Sequence, residues 1–251
     1  MARKNGQGWG AQQEESALMV PTGMVESDSA LRDLVGAIIG GDGAGVLRQL
    51  SASPQLARTS FQTGAARQTL NEFYIERIAR YLLAGDTALH VAAAAYDTEI
   101  ARMLLEAGAN VHAKNRRGQQ ALHAASHGNP GSQRWNPISQ AATIVLLIEA
   151  GADPDAADMN GMSPLHKAVR TRCAEAVKTL LANGADPCRK NKNGSTPLVL
   201  AVHNTGRGGT GSPEAKAQQQ EIKLMIEHAL KVRQRCLSAP SRPVRSSLGG
   251  A

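Results

Sequence analysis

A short pattern that recurs four times along the chain limits the possible folds more than any other sequence feature. It consists of a glycine, three intervening residues, a leucine and, in three of the four copies, a histidine. The leucines of the four copies are Leu89, Leu122, Leu165 and Leu198. They are spaced by 33, 43 and 33 residues. A recurrence of this period indicates a stack of similar units rather than a single globular core.

A second pattern follows the first three copies and ends in Gly-Ala-Asn or Gly-Ala-Asp. Its glycines are Gly108, Gly151 and Gly184, which are spaced by 43 and 33 residues. The ten extra residues therefore fall between Leu122 and Gly151, inside one repeat. Because both patterns keep the same phase, the chain is predicted to consist of tandem units with one long insertion.

Each unit is predicted to fold as a turn followed by an inner and an outer helix. Asn160 and Asn193 precede the opening glycines of their units, and Asn-Gly suits a tight hairpin turn. Helix-capping residues follow in three units: Thr87, Ser163 and Thr196. Pro164 and Pro197 suit the first turn of the inner helix, and the three glycines of the second pattern suit the left-handed position that ends the outer helix. One such unit cannot bury its apolar faces alone, whereas stacked units form a solenoid.

These residues resemble the ankyrin repeat family, whose units have a period of 33 residues and centre on Thr-Pro-Leu-His-x-Ala. The chain is identified as a bacterial-type ankyrin repeat protein. The resemblance implies an all-α ankyrin-repeat solenoid of helix pairs with short β-hairpin connections, about four recognisable repeats and a degenerate N-terminal capping unit. It covers residues 85–193 well and residues 194–232 with an insertion. The last repeat departs from the pattern because Val199 replaces the histidine and no Gly-Ala-Asp ends it.

The remaining segments are assigned around these repeats. The repeat domain spans 28–232 and divides into a cap at 28–60, an extra helix at 67–83 and repeats at 85–117, 118–160, 161–193 and 194–232. The extra helix is predicted because its apolar residues have helical spacing, and it is expected to cover the end of the solenoid; a partner-binding aromatic face is the alternative. Residues 1–27 and 233–251 are rich in Gly, Ser, Pro, Gln and Arg, which predicts disorder.

Composition and charge exclude several classes of protein. No stretch approaches the roughly 18 uninterrupted apolar residues of a membrane helix, so no membrane association is expected. Residues 17–25 are broken by Pro21, which does not fit a secretory signal. Three cysteines without a CxxC motif exclude a disulfide framework and a zinc ribbon, and favour a reducing, cytoplasmic setting. The net charge is +7, of which residues 231–251 contribute +5, so nucleic acid is expected to bind weakly at most, through this basic tail.

Two patterns imitate ligand sites. The run from Gly41 to Gly45 imitates a dinucleotide-binding loop, but Val46 stands where the third glycine belongs, so a helix–turn–helix is favoured. Three repeat histidines, His90, His123 and His166, could suggest zinc. Their stacked helices lie about 8–10 Å apart, however, whereas zinc holds each ligand nitrogen at about 2.0–2.1 Å. The family resemblance implies that these histidines join neighbouring hairpins by hydrogen bonds, and no metal or cofactor is expected.

Two further segments leave alternatives open. Cys173 has two charged neighbours, Arg170 and Arg172, which could lower its pKa, but no partner base can be assigned, so a catalytic thiol is unsupported. The glycine-rich segment 206–213 lacks the lysine of a P-loop. It leads into a helix predicted at 213–231, whose free N–H groups suit an anion; a surface insertion is the alternative.

The connections between inner and outer helices carry the strongest functional signal. Insertions at 127–137 and 203–213 lie on either side of the segment from Arg170 to Arg172, neither contains an acid, and the first contains a tryptophan. Equivalent connections of a solenoid line one edge. We therefore predict a site there for an anion or an acidic peptide, with plain loop decoration as the alternative. The predicted site residues are His127, Arg134, Trp135, Arg170, Arg172, His203, Asn204, Arg207, Gly208 and Gly209.

These observations favour a non-catalytic protein–protein interaction module or scaffold over an enzyme. We expect a monomer that binds an unidentified protein partner through an acidic peptide or anionic group. The alternative function is a protein that binds a small anion or phosphate ligand, or an enzyme, through the same residues.

Overall fold

The fold consists of two layers of helices, as a computed structural model shows for residues 28–66, 73–130, 135–202 and 213–238. The inner layer contains α1 (Ser29–Gly40), α3 (Ala88–Ala95), α5 (Ala121–Ala125), α7 (Pro164–Arg170) and α9 (Pro197–Val202). The outer layer contains α2 (Gly43–Ala52), α4 (Thr98–Glu106), α6 (Pro137–Glu149), α8 (Ala174–Ala182) and α10 (Pro213–Ser238). Each helix packs on the next one in its own layer and on its partner in the other layer. The predicted solenoid of helix pairs is therefore confirmed.

The core runs along the interface between the two layers. The repeat leucines Leu89, Leu122 and Leu165 are fully buried, and most of their neighbours in the inner helices are alanines. Small side chains let adjacent inner helices approach closely, which suits a chain with only 3% aromatic residues. Leu198 is only half-buried, because it belongs to the last inner helix of the stack.

Tight hairpins connect each outer helix to the next inner helix. In each of three hairpins an Asn or Asp side-chain oxygen accepts two backbone N–H groups at 2.8–3.1 Å. These residues are Asn115, Asp158 and Asn191. Successive hairpins are also joined through the backbone, since Met159 N donates to Arg117 O at 2.9 Å and Lys192 N donates to Asn160 O at 3.0 Å. The hairpin tips therefore form one continuous row.

The helix boundaries follow the predicted capping signals. The Ser163 hydroxyl and the His166 side chain form a capping box at the start of α7, and equivalent boxes begin α3 and α5. The outer helices α4, α6 and α8 are followed by glycines in the left-handed region, with φ of +87°, +96° and +90°. Between α1 and α2, Asp42 caps the second helix by accepting the Gly45 N–H at 2.8 Å, which confirms the predicted helix–turn–helix.

The three repeat histidines join each unit to the next. The Nδ1 atom of each accepts the N–H of the residue three positions before it at 3.2 Å. The Nε2 atoms of His90, His123 and His166 donate to the carbonyls of Gln119, Met162 and Ser195 at 3.0, 3.1 and 3.1 Å. Both ring nitrogens are thus used in structural hydrogen bonds, as the resemblance implied. Burial lowers the pKa of all three, that of His123 to about 4, so that the neutral imidazole is the folded form.

The extra helix predicted at 67–83 is wrong over the residues that the structure describes. Residues 73–81 contain an antiparallel pair, β1 (Tyr74–Ile75) and β2 (Arg80–Tyr81), joined by a 3-10 turn at Glu76–Ile78. The backbone of Ala79 is left-handed with φ of +47°, which reverses the chain. The buried Phe73 and Ile75 alternate with the exposed Tyr74, so the apolar spacing follows a strand rather than a helix. Residues 67–72 lie outside the described part of the chain.

The C-terminal helix is longer than predicted. It continues to Ser238 instead of ending near 231, so the predicted disordered tail begins too early. Arg233 lies within this helix and forms an ion pair with Asp186 in the hairpin after α8. Within the described ranges, no helix has both the length and the apolar character needed to cross a bilayer. Residues 1–27 and 239–251, for which disorder was predicted, lie outside these ranges.

We predict that the free energy of unfolding falls as the pH drops from about 6.5 towards 4. Folded His123 binds its proton near pH 4, whereas the unfolded chain binds it near pH 6.5. The unfolded state therefore holds more protons between these values, and stability is lost as the pH falls through this window. His123 alone accounts for about 3 kcal/mol at roughly 1.4 kcal/mol per pH unit, and His90 and His166 act in the same direction.

Urea denaturation at several pH values between about 7.5 and 4.5 measures this dependence. The variant His123→Gln should show a shallower slope below about pH 6.5, because one buried imidazole no longer titrates. The control His112→Gln alters an exposed histidine and should keep the wild-type slope. Equal slopes for His123→Gln and wild type would contradict this account of the buried histidines.

Candidate functional site

The connections between inner and outer helices lie side by side along one edge, here called the loop edge. It comprises Tyr96–Asp97, the described parts of 126–136, and residues 171–173. The Tyr96 hydroxyl donates to His127 O at 2.5 Å, and Gly128 N donates to the Thr171 hydroxyl at 3.3 Å. Three connections from successive repeats are therefore in direct contact, although they are distant in sequence.

Trp135 belongs to this row, and a residue of α6 holds its side chain in place. Its Nε1 donates to Gln140 Oε1 at 2.9 Å, and Gln140 Nε2 donates to Ala125 O at 2.8 Å. A Cβ added at Gly128 would lie 2.5 Å from Cys173 Sγ and 2.8 Å from Trp135 Nε1, so only glycine fits there. The half-buried tryptophan is thus fixed next to the connection at 171–173.

Burial separates the two arginines of the predicted site. Arg170, the last residue of α7, is exposed, whereas only 5% of the surface of Arg172 is accessible. Both line a small cavity together with Leu200 of α9 and Gln219 of α10. The last helix pair therefore covers Arg172, and the expectation of two accessible arginines holds for Arg170 only.

Arg172 also has an unusual backbone conformation. Its φ is +59°, in the left-handed region, and Tyr96 has φ of +57° at the equivalent position of an earlier repeat. A side chain in this region costs about 1 kcal/mol relative to glycine. The chain therefore keeps large side chains at two loop-edge positions where glycine would be favoured.

The other predicted site residues divide into exposed and undescribed ones. His127 is exposed at the start of its insertion. Those that lie outside the described residues are Arg134, His203, Asn204, Arg207, Gly208 and Gly209. The described portion of the site consequently consists of His127, Trp135, Arg170 and the covered Arg172.

The sequence left a reactive thiol at Cys173 unsupported, and the structure argues against one. Burial raises its pKa to about 11, although hydrogen bonding with Thr171, Gln140 and Gly128 acts in the opposite direction. A nucleophilic cysteine needs a lowered pKa and solvent access. Cys173 is instead a fully buried thiol that packs beneath Gly128.

Sequence reasoning missed a cluster of basic side chains at the hairpin tips. The described tips expose a set of lysines and arginines: Lys114, Arg116, Arg117, Lys190 and Lys192. The signal was present in the sequence, because aligning the repeats by their leucines places Lys114 with Lys190 and Arg116 with Lys192. The net charge of the whole repeat region conceals this clustering, because acids elsewhere on the same hairpins offset it.

Comparison with known families agrees with the geometry. A sequence model described as "Ankyrin repeats (3 copies)" matches residues 138–210, and one described as "Ankyrin repeat" matches residues 84–116. The matched ranges include the α3–α4 pair and the helices α7 to α9. Both the sequence patterns and the helix pairs are thus those of ankyrin repeats.

Several curated proteins are similar to the repeat region. Ankyrin repeat and SOCS box protein 16 of Mus musculus is 39% identical over 97 residues, which is 38% of this chain and 20% of that protein. Protein phosphatase 1 regulatory subunit 12A of Mus musculus is 47% identical over 62 residues, which is 25% of this chain and 6% of that protein. The human B-cell lymphoma 3 protein is 34% identical over 96 residues, which is 38% of this chain and 20% of that protein. The chain spans about a fifth or less of the length of these relatives.

We predict that Arg172→Gly is more stable than Arg172→Ala by about 1 kcal/mol, since both remove the side chain but only glycine relieves the left-handed backbone. Tyr96→Gly and Tyr96→Ala should show the same order, as measured by urea denaturation. At Arg170, which ends a helix with ordinary φ, the order should reverse. An alanine variant at 172 as stable as the glycine variant would contradict the strain.

Proposed function

The chain is an ankyrin-repeat protein, and on that premise we propose that it is a non-catalytic interaction module that holds an acidic peptide of a partner protein at its loop edge. The observation that carries the proposal is the contact between connections of successive repeats. That contact brings Gly128 to Thr171, and Gly128 also lies against Trp135 and Cys173, so the tryptophan lies close to the connection that contains Arg172. Tryptophan and arginine are both enriched where proteins bind one another.

The electrostatics of the loop edge favour an acidic ligand. Arg170 is exposed, and no acid occurs in the insertion at 127–137. The acid within the loop edge, Asp97, uses its carboxylate to cap α4 by accepting the Ile100 N–H at 2.9 Å. The chain-wide charge of +7 acts in the same direction by steering acidic partners towards the protein.

The shape of the loop edge favours a peptide over a small molecule. The cavity between Arg170, Arg172 and Gln219 has a volume of about 10 Å³, which is room for about one water molecule. Pockets for small ligands typically hold about 300–1,000 Å³. A peptide can bind along the surface without an enclosed pocket, so a small anion or phosphate ligand remains the second candidate and not the first.

The names of the relatives support the class of function. One of them is named as a regulatory subunit of a phosphatase, and another as a SOCS box protein. A regulatory subunit acts by contact with another protein, which fits a module without catalytic groups. The free thiols of Cys173 and Cys188 fit our proposal of a reducing, cytoplasmic setting.

Tryptophan fluorescence can locate binding at the loop edge. The sequence contains two tryptophans, and the substitution Trp9→Phe leaves Trp135 as the only emitter. We predict that titration with hexaglutamate at low salt shifts the emission of Trp135, because a bound carboxylate changes the electric field at the ring. The variant Arg170→Ala should weaken this response about tenfold, and adding Arg207→Ala should weaken it further.

Two controls make this result specific. Lys178→Ala removes an exposed base of α8 and should leave the titration unchanged. The melting temperature of Arg170→Ala should stay within a few degrees of wild type, because the side chain of Arg170 is exposed. An emission of Trp135 that does not respond to hexaglutamate would rule out the loop-edge site, and a response to inorganic phosphate alone would favour the small-anion alternative.

A further inference from the structure

We propose that the hairpin tips form a second binding surface for an extended acidic segment of a protein, in which an apolar residue lies between two carboxylate clusters. This surface lies at the opposite end of the helix pairs from the loop edge. It is called the tip strip and consists of Lys114, Arg116, Met159, Lys190 and Lys192. The proposal does not depend on the proposed function, since it uses none of the same residues.

The tip strip shows the same order of basic and apolar side chains in two neighbouring rows of equivalent positions. One row of equivalent positions contains Lys114, Ala157 and Lys190, and the next row contains Arg116, Met159 and Lys192. Both rows are therefore basic, apolar and basic along the stack. The coincidence of two rows distinguishes this pattern from scattered surface charge.

The backbone holds these side chains at fixed spacing. Met159 lies between the outer tips, because its N–H is bonded to Arg117 O at 2.9 Å and the adjacent Asn160 O accepts the Lys192 N–H at 3.0 Å. Its side chain lies over Gly118, where an added Cβ would come 3.2 Å from Met159 Cγ. The first and third of these hairpin tips are about 20 Å apart, because each unit of the stack adds about 10 Å. About six extended residues at ~3.3 Å each span that distance.

The basic side chains are available to a ligand. No acid of the described residues lies within ion-pair distance of Lys114, Lys190 or Lys192. Arg116 donates to Ala65 O, which holds its guanidinium at the N-terminal end of the strip. The outer tips thus offer two groups of positive charge to carboxylates.

The acids of the same hairpins do not neutralise the strip. Asp158, directly before Met159, is buried and paired with Lys167 Nζ at 2.7 Å. Asp153, Asp155 and Asp186 lie at the bases of their hairpins. Their carboxylates accept backbone N–H groups of Asp155, Asp186 and Cys188 at 2.8, 2.9 and 2.8 Å.

Met159 identifies the class of partner. Its exposed fraction is 62%, which is high for a large apolar side chain on a rigid turn. Single-stranded nucleic acid carries a phosphate at every nucleotide, so it would leave this methionine unmatched. A polypeptide can place an apolar residue between acidic ones, and methionine adapts well to such a contact.

Fluorescence anisotropy of the full chain with a synthetic peptide tests the proposal. The probe is fluorescein-labelled Glu-Glu-Gly-Leu-Gly-Gly-Glu-Glu, whose glutamate pairs are about 20 Å apart when extended. We expect Lys190→Ser/Lys192→Ser to weaken binding about tenfold, and Lys192→Arg to retain it. Met159→Ser should weaken binding several-fold for this probe but not for a matched peptide with serine in place of leucine.

The control variant Lys178→Ser changes the net charge away from the tips and should bind like wild type. Three results would overturn the tip strip: wild-type binding by Lys190→Ser/Lys192→Ser, an equal effect of Met159→Ser on both peptides, and tighter binding of an oligothymidylate. Loss of probe binding in Arg170→Ala would assign the probe to the loop edge instead. Because the tip strip contains no tryptophan, its failure leaves the Trp135 titration interpretable, and the reverse also holds.

Discussion

The hydrogen bond from each repeat histidine to the next hairpin is the interaction on which the stack depends. The buried imidazole accepts a backbone N–H within its own unit and donates to a carbonyl of the following unit at 3.0–3.1 Å. A neutral ring can make both bonds at once, whereas a protonated ring could not accept. Each histidine therefore fixes the position of one unit relative to the next, and the hairpin tips inherit that spacing. In the last unit Val199 replaces the histidine, and the inner helix α9 packs on α10 instead.

Much of the fold could be predicted because its determinants are local and recur. Capping residues, turn asparagines and left-handed glycines each act within one unit, and four copies of the pattern confirm one another. The segment at 67–83 had no second copy, and its apolar residues fit both a helix and a strand pair. The deciding feature is the left-handed backbone at Ala79, for which an alanine gives no signal. The extension of α10 to Ser238 was missed because basic and polar residues are common both in helices and in disordered tails. The composition of this segment therefore does not distinguish the two.

The candidate site was predictable in its location and not in its accessibility. Equal phase of the repeats sufficed to place the insertion at 127–137 beside the segment containing Arg170. The burial of Arg172 depends on α9 and α10, which pack over it from the next repeat, and no pattern around residue 172 indicates this. The basic tips were overlooked for the opposite reason, since charge was summed along the chain instead of compared between equivalent positions.

The two edges vary in different ways from one repeat to the next, and this difference determines which ligands each can bind. The loop edge varies by insertion, so its shape is free of the repeat spacing, and Trp135 is held there by a residue of α6 rather than by the hairpins. The hairpin tips keep a constant length and vary only by substitution, so their surface is a linear pattern at the fixed rise of the stack. A ligand of the tips must therefore match a spacing that the buried histidines determine. Loss of the histidine hydrogen bonds would therefore weaken binding at the tips before it affected the loop edge. There the contacts of Gly128 and Gln140 do not involve the hairpins.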